Sequence, residues 1–277
     1  QRATAADTRG MMHFALRGTA AAGRRKAAHA RSASHPCHCQ CHPVHTRLDA
    51  GVRALRAWSA SATDGTSGLA HVEAVLAVLG EFLALPQAAA ALRHDASACD
   101  RFLTLADAYG SFEQALLALK QSVAQLRAGV RLGDGVMVAA SLRARRRAEK
   151  ELFGLAAAMR HASRHTMLAP VHAADGEVTG VVAEAAAATA SASEAIFLWC
   201  ATMSPDVSAV VETVRSNAWL ARLLVVHVAK KAVSLPETAA ALERLEERIG
   251  ELESGSEKVF SSLLQTRVSL LNIHNTL

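Results

Sequence analysis

From residue 235 to the last residue, one face of the chain repeats at alternating steps of three and four: Leu235, Thr238, Leu242, Leu245, Ile249, Leu252, Ser256, Val259, Leu263, Thr266, Leu270, Ile273 and Leu277. A stripe with a 3.5-residue period requires a partner helix along its whole length. A second stripe keeps the same rhythm through Phe102, Leu105, Tyr109, Phe112, Leu116, Leu119, Val123, Leu126 and Val130, so a partner exists within the chain. Two such helices with further helical segments between them predict an all-α fold, an antiparallel bundle of about six or seven helices. The seam residues Leu242, Leu245, Ile249, Leu252, Val259, Leu263, Leu270 and Ile273 are its expected core or interaction line. The alternative is a seam that joins two chains, so monomer and homodimer are both carried forward.

Between the seams the punctuation predicts the remaining elements. A short helix is expected over Thr46–Trp58, ended by the Ser/Thr/Gly-rich stretch from Ser59 to Gly68. A strongly apolar helix follows over Leu69–Leu85, ended or kinked by Pro86 before an Ala-rich turn through Arg93. Asp95 or Ser97 caps the first seam helix, which runs to about Leu132, and Gly133–Gly135 turns the chain into a helix over Val136–Leu168. After a loop over Pro170–Gly176, Val178, Val182, Ala185, Ala192, Ile196 and Trp199 are expected to face inward. Ser204 and Pro205 start a helix to Lys231, and Pro236 precedes the final one. No domain boundary shows between residues 46 and 277, so the division is a tail over 1–45 and one bundle over 46–277.

Composition agrees with this reading. The chain is 51% hydrophobic but only 4% aromatic, and its alanine runs favour helix and let backbones approach closely. The net charge of +5 suggests nucleic acid until it is apportioned. Residues 1–35 hold seven arginines and lysines against Asp7 alone, so the body is close to neutral. A basic tail on a neutral bundle gives no reason to expect nucleic-acid binding. That Ala/Arg/Ser-rich tail suits a disordered arm or a transit segment. Because the chain begins at Gln1, with Met11 and Met12 inside the tail, residues 1–28 read either as transit segment or as translated leader. No run of about eighteen uninterrupted apolar residues marks a membrane span, which leaves at most weak peripheral contact. The expected location is cytoplasmic, with organelle targeting by the tail as the alternative.

Candidate chemistry is sparse. His35, Cys37, His38, Cys39, Cys41, His42 and His45 crowd soft ligands together, and Cys37, Cys39, Cys41 and His42 are the candidate metal set. The competing reading is an incidental exposed arm, since no two-residue gap wraps an ion and no second Cys/His pair follows. His161 and His165 stand one turn apart amid arginines, a solvated basic face. Cys99 and Cys200 read as small core residues. The cluster Arg143, Arg145, Arg146, Arg147 and Lys150 is expected to pair with the acids of the last helix, Glu243, Glu246, Glu247, Glu251, Glu253 and Glu257. There is no phosphate loop or nucleophile elbow, so the chain reads as a non-enzyme with no cofactor.

The ending Arg267-Val-Ser-Leu-Leu-Asn-Ile-His-Asn275, with Lys258–Thr266 before it, resembles the C-terminus of a plant family known as domain of unknown function 241, the BYPASS-type proteins. Arg31-Ser-Ala-Ser-His-Pro36 is similar to that family's opening, and Leu83-Ala-Leu-Pro86 to one of its helix ends. The resemblance spans about residues 29–277, and Arg267, Ser269, Leu270, Leu271 and Asn272 carry its most specific part. His274 stands where the family ending has Leu. The resemblance implies a helical protein without established enzymatic activity, associated with root and shoot development and acting through a protein partner that the sequence does not name. The last two turns are expected to dock, with Leu270 and Ile273 buried and Arg267 reaching a carboxylate or helix-end carbonyls.

Overall fold

The computed structural model describes residues 42–62, 64–168, 176–203 and 235–275, with the side chains of 166–168 and 235–238 outside the description. Every described residue belongs to one compact unit, His38–Leu277. Seven helices are described: α1 (Pro43–Ser61), α2 (Gly65–Leu83), α3 (Pro86–Leu92), α4 (Ala96–Leu132), α5 (Gly135–Leu168), α6 (Gly176–Thr202) and α7 (Leu235–Asn275). The fold is an all-α bundle. The helix expected over Ser204–Lys231 lies outside the described residues.

The helix starts are set by caps. α1 begins at Pro43, earlier than expected, because the His42 ring accepts the Val44 N–H at 3.3 Å and proline fills the first turn without needing a donor. α2 also begins earlier than expected. The Asp64 carboxylate accepts from the N–H of Thr66 at 3.4 Å and of Ser67 at 3.1 Å, and from the Thr66 hydroxyl. Burial pushes the Asp64 carboxyl up. The bonds from Thr66 and Ser67, with the nearby Arg248 charge, outweigh that and hold it below its usual range. The break between α1 and α2 is therefore much shorter than Ser59–Gly68.

Gly65 and Gly68 sit inside α2 for a packing reason. A Cβ at Gly68 would lie 2.2 Å from the Trp58 ring, and one at Gly65 would lie 2.6 Å from Trp199. The residues that looked like a breaker are the cut-outs into which two indoles fit. Trp199 itself is half-buried over Gly65, on the flank of α6, while Phe197 and Cys200 point fully inward.

Pro86 starts a helix instead of only ending one. Residues 86–92 form α3, with Ala88 and Leu92 buried, where the sequence pattern predicts a turn. Asp95 takes the cap position of α4, but its carboxylate accepts from the Ser97 hydroxyl and makes no bond to a helix N–H. At the other end, Gly133 adopts φ 65° and closes α4 onto the carbonyls of Gly129 and Val130. That left-handed cap is glycine's natural place. Asp134 then accepts from Val136 and Met137 at 2.9 and 3.1 Å to start α5.

α4 packs on α5, α6 and α7, while α2 packs on α1, α6 and α7. All nine residues of the first seam are buried, from Phe102 to Val130. On α7, every seam position from Leu242 to Ile273 is buried as well, and its partners α4 and α2 lie in the same chain. α4 and α7 run antiparallel, since Lys120 meets Glu253 while Arg127 meets Glu246 at 2.9 Å. α2 and α7 run parallel, Gly65 lying by Leu252 and Leu69 by Gly255.

α6 is enclosed by α1, α2, α4 and α5, and Ala185–Ala190 are buried all round the helix. Small side chains let four neighbours approach one axis. α2 and α6 are long and apolar enough, by length and composition, to cross a membrane. In the bundle their apolar faces are covered by the other helices, as in the core helices of a soluble bundle.

Candidate interaction surfaces

The candidate site residues separate into three groups. Cys37, Cys39 and Cys41 lie outside the described residues, whereas His42 is the α1 cap. Among the described residues no three His, Cys, Asp or Glu side chains gather to hold a metal. His161 and His165 stack with ring centroids 5.7 Å apart on the exposed side of α5, beside the Arg160–Glu194 ion pair at 2.6 Å. The seam residues form the core. In the family ending, Leu270 and Ile273 are buried, Ser269 is half-buried, and Leu271 and Asn272 are on the surface.

Arg267 flanks α4 near the Cys99 thiol. Of the two partners expected for it, a carboxylate or helix-end carbonyls, no carboxylate pairs with it among the described residues. Burial and the neighbouring Asp100 push that thiol up, against the pull of Arg267. Burial likewise raises the Cys200 thiol and, against a hydrogen bond from Ser193, the Tyr109 hydroxyl. A cysteine raised this way is not an activated nucleophile.

The basic cluster of α5 is not the partner of α7's acids. α4 sits between those helices, and its own cations take them: Lys120 meets Glu253 and Arg127 meets Glu246. Arg145 is buried and pairs along its own helix with Glu149 at 2.8 Å, while Arg143, Arg146, Arg147 and Lys150 stay on the surface. Sequence proximity of charge told which helices were polar on one side, but not which helices were neighbours.

α7 has two flanks, one against α2 and one against α4. The α2 flank holds an open groove lined by Ala70, Gly250, Glu73, Glu247, Glu251 and Lys258. The α4 flank follows the ladder of ion pairs and then changes character. Seven residues beyond Lys120 on α4 stands Glu113, close enough to Glu257 of α7 to feel its charge, and among the described residues no cation pairs with either. One Glu113 oxygen, Oε1, is buried without a hydrogen-bond partner. The carboxyl is pushed above its usual range by burial and then by the Glu257 charge.

That arrangement makes a directional prediction. A carboxyl whose folded pKa is raised favours the fold when protonated, so its contribution is present at acid pH and lost as pH rises through the raised value. At neutral pH the ionised pair opposes folding. Glu113→Gln is therefore expected to raise the melting temperature at pH 7. Like charges on adjoining helices cost a few tenths of a kcal/mol, or roughly 1 °C in a domain of this size. The difference from wild type should close at pH 4, and a Glu113→Gln protein less stable than wild type at pH 7 would show that the carboxylate is satisfied.

Sequence reasoning missed this site because Glu113 and Glu257 are far apart in the chain and ordinary in isolation. It also read past Leu117, Leu264, Val268 and Leu271, which are 39–56% exposed on the outer sides of α4 and α7. No curated protein and no solved structure matches the chain. The family model described as Protein BPS1 matches residues 68–273, from inside α2 almost to the end of α7, leaving α1 and the Arg31–Pro36 stretch outside. With most of the bundle covered, including the helix that carries the Arg267–Asn272 motif, the chain belongs to the BPS1 family, a BYPASS-related plant family.

Proposed function

We propose that this chain is a non-enzymatic helical scaffold or regulator that works by binding another protein through an exposed face of its bundle. Membership of the BPS1 family supports a plant developmental regulator, and the family is not a known enzyme family. The observation that carries the binding step is the contrast within α7. From Leu242 to Ile273 its inner seam is buried, with α4 and α2 as its neighbours, yet Leu264, Val268 and Leu271 remain on its outside. Contiguous apolar side chains on an otherwise polar helix surface mark interaction sites.

The second reading rests on the tail, whose seven cations against one acid would draw it to an anionic membrane or an organelle surface. Proximity labelling and imaging in plant cells, with and without residues 1–35, separate the two. A scaffold keeps its distribution and its labelled protein set when the tail is removed. Redistribution on truncation, with loss of the labelled set, would favour recruitment by the tail.

A further inference from the structure

Residues seven apart share a face on helices of this periodicity. On α4, Leu103, Gly110 and Leu117 form one such line, and Gly110 faces the Phe260 ring, which a Cβ there would meet at 3.7 Å. On α7, Glu257, Leu264 and Leu271 form another, and Glu257 lies close enough to Glu113 to act on its charge. The two lines therefore border one outward groove. Leu117 is 51% exposed, Leu264 39% and Leu271 40%. From Leu103 to Leu117 the groove runs about 21 Å, enough for four turns of a helix.

Its charge is one-sided around Glu113, while the Arg267 cation lies toward the other end, beside Cys99. Below it, the α4–α7 ladder alternates cation with anion at Arg127–Glu246 and Lys120–Glu253. At Glu113–Glu257 the cation is missing, and the exposed Asp107 adds to the same surface of α4. An apolar trough with an unneutralised carboxylate pair at one end lacks two things, an apolar stripe and a positive charge there. We propose that the α4–α7 groove docks a basic amphipathic helix of a partner protein. The partner's apolar residues would lie along Leu117, Phe260 and Leu264, and a lysine or arginine would reach Glu113 and Glu257. This inference rests on the scaffold reading and names the partner's chemistry.

The test uses the full chain and three fluorescent 18-residue helical peptides, read by anisotropy. The first carries Leu at positions i, i+4, i+7 and i+11, with Lys on the flank. The second has Glu in place of each Lys, and the third is the first in scrambled order. The lysine peptide is expected to bind, and neither of the others within tenfold of it. Leu117→Asp and Leu264→Asp, both on the surface, are each expected to weaken binding by at least about tenfold. The double variant Glu113→Gln with Glu257→Gln keeps the helices intact, and it should weaken binding and flatten its salt dependence. Equal binding of all three peptides, a preference for the glutamate peptide, or insensitivity to these variants would overturn the proposal. So would a self-association of the wild type that Leu264→Asp abolishes, which would give the groove to a second copy. If no peptide binds, the labelled proteins in cells decide how far the failure reaches. A retained set leaves the scaffold reading standing and removes only this groove's chemistry, whereas an empty set removes both.

Discussion

Leu252→Asp is expected to abolish cooperative folding of the bundle. Leu252 is fully buried in the α7 seam, within reach of Gly65 on α2 and enclosed on its other side by α4. An aspartate there must be buried ionised, buried neutral without partners, or exposed by undocking α7, and each route costs several kcal/mol. Domains are typically stable by only about 5–15 kcal/mol, so the seam cannot absorb the change. Circular dichroism with temperature should show loss of the sigmoidal transition, and light scattering should show expansion or aggregation. A helical monomer that still melts cooperatively would mean that α7 is dispensable to the core, and that its periodic face serves something outside the chain.

Phe197→Ala comes next in size. The Phe197 ring lies 4.5 Å from that of Phe112 and 5.6 Å from that of Tyr109, so these three rings lock α6 to α4. All three are fully buried. Truncating one phenylalanine in such a site costs about 3–5 kcal/mol in lost burial and cavity, which lowers the melting temperature of a domain this size by roughly 10 °C. Tyr109→Phe is the matched control. It keeps the ring and removes only the hydroxyl that accepts from Ser193 at 3.2 Å, so its loss should be near 1 kcal/mol. If Phe197→Ala cost no more than Tyr109→Phe, the rings would be filling space that the alanine-rich α6 can close by moving.

The three-four stripes made both long seams legible, because a helix that buries one face must repeat apolar positions near its own period. Ser256 and Thr266 fall in the α7 stripe and are buried like their neighbours. There, Thr266 gives its hydroxyl to Ser262 of the same helix at 2.9 Å, while small Ser256 sits beside the close approach of Gly255 to Leu69. Local chemistry was less legible. Gly65 and Gly68 look like a loop until the indoles that fill their missing side chains are located. The Pro86–Leu92 segment looks like a turn until Ala88 and Leu92 are seen buried.

The sequence by itself determined that this chain is a helical bundle and which side of each long helix turns inward, since both follow from the spacing of side chains along one helix. Which helices became neighbours was decided only by the tertiary structure. Apolar burial is non-directional, so a seam specifies that it must be covered but not by what. Hence the acids of α7 met Lys120 and Arg127 on α4 and not the arginines of α5, and α2 came to lie parallel to α7. For the same reason two ordinary glutamates, Glu113 and Glu257, became a carboxylate pair between apolar walls, a feature that arises only when distant segments are set side by side.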